Sequence, residues 1–192
     1  EGGVATTNDP KLARTMQLLR SHGITKDPTE MSKEPDGPWY YEQIGLGFNY
    51  RMSDIHAALG LSQLAKIDEF IAARHKIAEC YDIKLNRDLM QLPLRHSKSS
   101  SALHLYVIRV SEKYHLEVFK KLRSDGIGVN LHYIPVHLHP FFRKMGFSEG
   151  SYPNSESYYR QSISLPIYPL LSNDDQNYVI DKLHNAIQEI TI

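Results

Sequence analysis

The sequence has little of what several large classes of protein require. Cys80 is its single cysteine, so no internal disulfide can form, and such cysteine usage is typical of a reducing compartment such as the cytoplasm. No apolar run approaches the roughly 20 residues that a membrane-spanning helix needs. The 22 Lys and Arg residues equal the 22 Asp and Glu residues in number. There is therefore no excess positive charge to attract nucleic acid or an anionic membrane, and we expect neither as a partner.

The amino-terminal residues also lack two features of a natural beginning. The sequence starts at Glu1 rather than methionine, and no charged segment followed by an apolar one indicates a signal peptide. A length of 192 residues suits one complete domain or parts of two. We therefore expect the sequence to be a fragment of a longer protein.

The most informative segment, residues 47–55, reads Gly-Phe-Asn-Tyr-Arg-Met-Ser-Asp-Ile. Asn49 and Arg51 both supply hydrogen-bond donors, and the arginine fork suits a carboxylate or phosphate. Ser53 is a favourable cap for a helix that starts here, and Asp54 would lie at its positive end. The pattern predicts an anion-binding pair at a helix N-terminus. The residues alone leave open a turn role for Asn49 and a surface ion pair for Arg51.

Periodicity and capping signals predict a mixed α/β chain. The expected strands cover residues 4–7, 103–110, 129–134 and 163–167, and the expected helices cover residues 10–22, 53–86, 115–125, 153–161 and 172–189, the second of them long or kinked. Between residues 24 and 46, prolines and aromatic residues indicate a long ordered loop. We place a domain junction after residue 82, which gives domains 1–82 and 83–192.

Two further patterns have competing explanations. His132, His137 and His139 suggest a metal site, because imidazoles spaced by two along a strand share a face. No acid or cysteine nearby in the sequence completes a ligand set, so structural or substrate-contacting histidines are favoured and no metal is expected. Gly45-Leu46-Gly47 lacks the third glycine and the preceding strand of a dinucleotide-binding motif, which indicates a flexible loop.

Short motifs that follow one another along the chain resemble the DegT/StrS family of sugar aminotransferases. In order, they are Glu1-Gly2-Gly3-Val4, Thr6-Thr7-Asn8-Asp9, Arg20-Ser21-His22-Gly23-Ile24, residues 47–55, Ala57-Ala58-Leu59-Gly60, His132-Tyr133-Ile134-Pro135 and Ser164-Leu165-Pro166. The loop at residues 36–41 is most similar to family members that aminate a UDP-linked 4-keto-6-deoxy-N-acetylhexosamine for pseudaminic acid synthesis.

The resemblance implies the carboxy-terminal part of an α/β, fold-type I pyridoxal phosphate enzyme. Residues 1–82 would be the end of the large cofactor-binding domain, with an interface loop and a helical arm. Residues 83–192 would be the small C-terminal α/β domain. The family members are homodimers with shared active sites, and they transfer an amino group from glutamate to a nucleotide-linked keto sugar. The resemblance therefore implies pyridoxal 5'-phosphate as the cofactor and a cytoplasmic enzyme of polysaccharide precursor synthesis.

The resemblance also assigns roles to single residues. Asn49 matches the asparagine that reaches across the dimer to the cofactor phosphate, and Arg51 lies beside it as a candidate substrate-binding residue. The segment that lines the nucleotide-sugar pocket is matched by Asn130, Leu131, His132 and Tyr133. In the family, the lysine that holds the cofactor covalently precedes the Glu-Gly-Gly motif. No catalytic residue is therefore expected in this chain, and we expect the chain alone to be inactive.

Two other functions remain open at this point. One is a dehydratase of the same fold, in which histidine replaces the cofactor-binding lysine. The other is a non-catalytic module, in which the aromatic loop at residues 39–41 and the helical arm serve only for dimerisation or for a protein partner.

Overall fold

The structure, a computed structural model, describes residues 3–191 and divides into two compact units. The first unit is Glu1–Ala65 and the second unit is Lys66–Ile192. The division precedes residue 82 because the helix at Ile67–Lys84 buries Ile77, Ala78 and Tyr81 in the core of the second unit. The boundary expected after residue 82 separates the large and small domains of the full-length protein, so it stays a prediction.

The first unit begins with an irregular segment and a capped helix. Helix α1, Pro10–Leu19, starts where the Asp9 carboxylate accepts the amide hydrogens of Lys11 (2.8 Å) and Leu12 (3.2 Å). After it, Gly23 takes a left-handed conformation with φ of 68°, as the sequence predicts for a helix stop. The strand expected at residues 4–7 is wrong, since the segment has no regular structure and pairs with no described strand.

The long loop of the first unit is closed by two short strands. Strand β1, Ile24–Thr25, pairs antiparallel with strand β2, Glu42–Gln43, and a 3-10 turn covers Pro28–Glu30. The Glu30 carboxylate binds the Arg14 guanidinium and accepts a hydrogen bond from the Thr25 hydroxyl (2.6 Å). This partly buried network joins the loop to α1, so the expectation of an ordered loop is confirmed.

The predicted helical arm consists of two helices. Helix α2, Asp54–Leu64, begins at Ser53, whose hydroxyl accepts the amide hydrogen of His56 (3.4 Å), and helix α3 is Ile67–Lys84. The break lies at residues 65–66 and not at Gly60, the one glycine of the segment. None of the helices within residues 3–191 has the length and apolarity to cross a membrane.

The second unit is an antiparallel sheet covered by helices. Strand β3, Tyr106–Arg109, pairs with strand β4, Ser162–Leu165, so that Tyr106 faces Leu165 and Arg109 faces Ser162. Single bridges from Gln91 to Arg109 and from Asn130 to Ser164 extend the sheet on both sides. The remaining helices are α4 (His115–Ser124), α5 (Pro140–Arg143), α6 (Pro153–Gln161) and α7 (Asn173–Thr191), with a 3-10 turn at Val136–Leu138.

The core of the second unit is formed by side chains of α3, α4, α7, β3 and β4. Its fully buried side chains include Tyr81, Tyr106, Ile108, Val118, Leu122, Ile163 and Leu183. The sequence correctly predicts these helices and places β3 and β4 approximately. The strand expected at residues 129–134 is wrong, because only Asn130 pairs with β4 and the chain is irregular after it.

We expect Leu122→Ala to lower the free energy of unfolding by about 2–5 kcal/mol, because Leu122 is fully buried and its truncation leaves a cavity. Leu116→Ala on the same helix is the matched control. Since the Leu116 side chain is 60% exposed, its truncation should change stability by less than about 0.5 kcal/mol. Urea denaturation of the two variants measures both values, and equal losses would contradict the assigned core.

Candidate functional site

The segment that carries Asn49 is held by backbone pairing to the end of α1. The Phe48 amide donates to the Leu19 carbonyl oxygen (2.6 Å), and the His22 amide donates to the Phe48 carbonyl oxygen (2.8 Å). The Tyr50 amide donates to the Arg20 carbonyl oxygen (2.9 Å). Asn49 therefore lies in a β-bridge opposite Ser21 and not in a turn, and its side chain is exposed.

Two glycines permit this close pairing. A Cβ atom on Gly47 would overlap the backbone nitrogen of Gly23 and the carbonyl carbon of His22. A Cβ atom on Gly23 would overlap the carbonyl group of Gly45. The interpretation of the Gly45-Leu46-Gly47 segment as a flexible loop is therefore wrong at Gly47, where the missing side chain lets two backbone segments touch.

Arg51 lines an open cleft of about 820 Å³ within the first unit. The same cleft is lined by Arg20, Gln17, Thr6 and Thr7. Within residues 3–191, neither Asp nor Glu lines it. Arg51 also forms no ion pair within residues 3–191, so the structure does not support its interpretation as a surface ion-pair partner. Two guanidinium groups beside polar side chains give the cleft a local positive charge that suits an anion.

The second group of candidate residues lies along one segment of the second unit, residues 130–133. Asn130 pairs with Ser164 of β4, and its side-chain oxygen accepts the amide hydrogen of Leu131 (2.8 Å). His132 Nδ1 lies 2.8 Å from the Ser164 hydroxyl oxygen. The Tyr133 ring meets the His132 ring edge to face at 4.6 Å and is 73% exposed. The structure thus holds this segment against β4 and leaves Tyr133 open to a ligand.

Sequence reasoning missed a buried pair that follows this segment. His137 Nε2 lies 2.7 Å from the Glu156 carboxylate, and the two residues are only 7% and 3% exposed. The hydrogen bond from His137 lowers the pKa of Glu156, and so do hydrogen bonds from the backbone amides of Gly150 (2.9 Å) and Tyr152 (3.3 Å). The pair therefore ties α6 to the 3-10 turn at Val136–Leu138, and the Glu156 carboxylate also holds the turn before α6.

Glu156, the acid that pairs with His137, lies 19 residues further along the sequence. The residues next to His137 in the sequence therefore gave no indication of it. The described residues contain no group of three His, Cys, Asp or Glu side chains placed to hold a metal ion. His132 contacts Ser164 and His137 contacts Glu156, so the histidines have separate partners.

Comparison with known proteins decides the family. The sequence profile of the DegT/DnrJ/EryC1/StrS aminotransferase family matches residues 1–184. The chain belongs to this family. The expected α/β fold of fold-type I pyridoxal phosphate-dependent transferases is therefore confirmed.

Individual DegT/DnrJ/EryC1/StrS relatives show how much of a family member is present. The chain is 36% identical to the Bacillus subtilis spore coat polysaccharide biosynthesis protein SpsC, over 98% of the chain and 50% of SpsC. It is 32% identical to a Campylobacter jejuni UDP-4-amino-4,6-dideoxy-N-acetyl-beta-L-altrosamine transaminase, over 99% of the chain and 49% of that protein. The chain thus spans about half the length of the curated relatives it matches.

A solved structure of the family agrees with this coverage. Helicobacter pylori PseC, an aminotransferase involved in the biosynthesis of pseudoaminic acid, matches with a TM-score of 0.82 and 27% identity. The match covers 95% of this chain and 48% of PseC. The roles of Asn49, Arg51 and residues 130–133 stay predictions.

We expect Gly47→Ala to destabilise the first unit by about 1–3 kcal/mol, because the added methyl group overlaps the backbone of residues 22 and 23. Gly60→Ala is the matched control, since a Cβ at this helical position meets nothing within 4 Å. The control should stabilise α2 by about 0.5–1 kcal/mol. Urea denaturation of both variants checks the two signs, and a neutral Gly47→Ala would contradict the close backbone pairing.

We expect Glu156→Gln to reduce the loss of stability that acid causes. The pKa of Glu156 in the folded chain lies below its ordinary value of 4.5. The Glu156 carboxylate therefore stabilises the fold fully at pH values above its ordinary pKa. This stabilisation is lost as the pH falls through the folded-state pKa. Between pH of about 5 and about 3, the wild-type free energy of unfolding should fall more steeply than that of the variant.

Glu149→Gln is the control for this experiment, because Glu149 is an exposed acid close to Glu156 in the sequence. Its pH profile should follow the wild type. Parallel profiles for wild type and Glu156→Gln, measured by thermal unfolding at each pH, would show that the Glu156 carboxylate does not stabilise the fold as an anion.

Proposed function

We propose that this chain is the carboxy-terminal part of a pyridoxal phosphate-dependent aminotransferase that moves an amino group from glutamate to a UDP-linked keto-deoxy sugar. The observation that carries the proposal is the family match over residues 1–184. The similarity to a UDP-amino sugar transaminase over 99% of the chain supports the substrate class. The similarity to a polysaccharide biosynthesis protein supports a role in making precursors of cell-surface or flagellar glycans.

Asn49 would hold the phosphate of the cofactor. Its backbone is fixed by the pairing of residues 48–50 with the end of α1, while its amide side chain stays exposed. An exposed amide on a fixed backbone is a suitable donor to a phosphate oxygen, so the residue fits this group. When bound, pyridoxal phosphate supplies the electron sink for amino transfer.

Arg51 and the 130–133 segment would hold the nucleotide sugar. Among residues 3–191, the cleft at Arg51 is lined by two arginines and by no acid, and this positive charge suits a diphosphate or a carboxylate. Asn130, His132 and Tyr133 offer an amide, an imidazole and an exposed phenol ring for a sugar or a base.

We also propose a homodimer with shared active sites in the cytoplasm. The first unit exposes many large apolar side chains, which is typical of surfaces that other chain segments or subunits cover. They include Trp39, Leu46, Tyr50, Ile55 and Leu59. The single, unpaired cysteine supports a reducing compartment.

The decisive assay uses the full-length protein that contains this chain. Purified protein should show cofactor absorbance that glutamate bleaches, and adding a UDP-linked 4-keto-6-deoxy sugar should restore the absorbance and yield the amino sugar. A protein that releases water from the sugar without consuming glutamate would instead be a dehydratase. Absence of any cofactor absorbance would contradict the proposed function and favour an interaction module.

We expect Asn49→Ala in the full-length protein to weaken pyridoxal phosphate binding by about 10- to 100-fold, because it removes one hydrogen bond to a charged phosphate. Cofactor titration monitored by absorbance or fluorescence measures the dissociation constant. Asn154→Ala, at an exposed position of α6, is the control and should bind the cofactor like the wild type. Equal affinities for Asn49→Ala and the control would remove Asn49 from the cofactor site.

A further inference from the structure

Ser164 contacts the candidate substrate segment through its backbone and its side chain. Its amide donates to the Asn130 carbonyl oxygen (2.8 Å), and its carbonyl oxygen accepts from the Asn130 amide (3.3 Å). Its hydroxyl oxygen lies 2.8 Å from His132 Nδ1. Ser164 is only 5% exposed, so this hydroxyl is largely removed from water. One buried residue of β4 therefore sets both the position of the segment and the orientation of the His132 ring.

The burial of this hydroxyl determines which imidazole nitrogen carries the proton. Within residues 3–191, His132 Nδ1 is the one hydrogen-bond partner of Ser164 Oγ. A buried hydroxyl hydrogen needs an acceptor, because leaving it unpaired loses a hydrogen bond that water would supply. If Nδ1 accepts this hydrogen, the neutral imidazole carries its own proton on Nε2. The reverse arrangement would leave the hydroxyl hydrogen without an acceptor.

We propose that Ser164 is a positioning residue that fixes His132 as the Nε2-protonated tautomer, so that Nε2 donates a hydrogen bond to an oxygen of the nucleotide-linked sugar. The assignment of the substrate rests on the proposed function, whereas the tautomer follows from contacts within this chain. The edge-to-face contact with Tyr133 at 4.6 Å further restricts rotation of the imidazole. His132 thereby presents a directed donor without needing a positive charge.

Ser162 provides a matched control in the same strand. It is also buried, but its hydroxyl donates to the Tyr158 carbonyl oxygen (2.6 Å) near the end of α6. Ser162→Ala therefore removes a buried hydroxyl from β4 without touching His132. Ser164→Thr is the conservative variant, because threonine keeps a hydroxyl group at the position.

The tautomer is tested by nitrogen NMR of the 192-residue chain labelled with ¹⁵N-histidine, at a pH of about 9, where free imidazole is neutral. His132→Gln assigns the His132 signals by their disappearance. Wild type and Ser162→Ala should show an unprotonated Nδ1 and a protonated Nε2. Ser164→Ala should shift both signals toward a mixture of tautomers, and Ser164→Thr should restore the wild-type pattern. A protonated Nδ1 in the wild type overturns the proposal without any variant.

Kinetics of the full-length protein test whether the Nε2-protonated tautomer of His132 contributes to binding of the sugar substrate. Ser164→Ala should raise the KM for the UDP-linked keto sugar about tenfold with little change in kcat or in the KM for glutamate, since a misdirected donor costs about one hydrogen bond. Ser162→Ala should leave all three near wild type. An unchanged sugar KM for Ser164→Ala overturns the substrate contact. A full-length protein without transaminase activity, but with the expected NMR pattern, overturns the proposed function and leaves the positioning role of Ser164 supported.

Discussion

Strand β4 is the element on which the second unit depends. Its side chains alternate between two faces, as in any strand. Ile163 and Leu165 enter the core, where α4 packs on β4 and the buried side chains of α7 belong to the same cluster. Ser162 and Ser164 take the other face and are bonded to the end of α6 and to the 130–133 segment. The same four residues therefore connect the hydrophobic core to the candidate substrate segment, so displacement of the core would displace His132.

In the first unit, close contacts between backbone segments determine where the candidate residues lie. Asn49 is placed by backbone contacts so close that side chains at Gly23 and Gly47 would not fit. A short pairing of this kind is rigid, yet it buries few side chains and leaves the polar groups of residues 49 and 51 exposed. Exposed donors on a fixed backbone suit anion binding, because they need little ordering when the ligand arrives.

The sequence predicted those parts of the fold that depend on local signals. Asp9, Ser53 and Ser172 start helices through bonds to residues two or three positions later, so each cap is visible in a short window. Strands need a partner that such a window does not contain, which is why those expected at residues 4–7 and 129–134 are wrong. The His137–Glu156 pair and the role of Gly47 likewise arise from contacts between separate segments. Residue chemistry alone predicted Asn49 and Arg51 as an anion-binding pair, whereas only the family motifs assigned Asn49 to the cofactor phosphate and residues 130–133 to the nucleotide-sugar pocket.

The failed strand at residues 129–134 has a structural consequence for the site. In a strand, consecutive side chains point to opposite faces, so His132 and Tyr133 would lie on different sides of the sheet. Here their rings are in contact, with centroids 4.6 Å apart. Because the chain leaves the sheet after a single bridge at Asn130, adjacent residues can act on the same side. A segment anchored by one backbone pair and one hydroxyl can therefore concentrate several polar groups where a regular strand would disperse them.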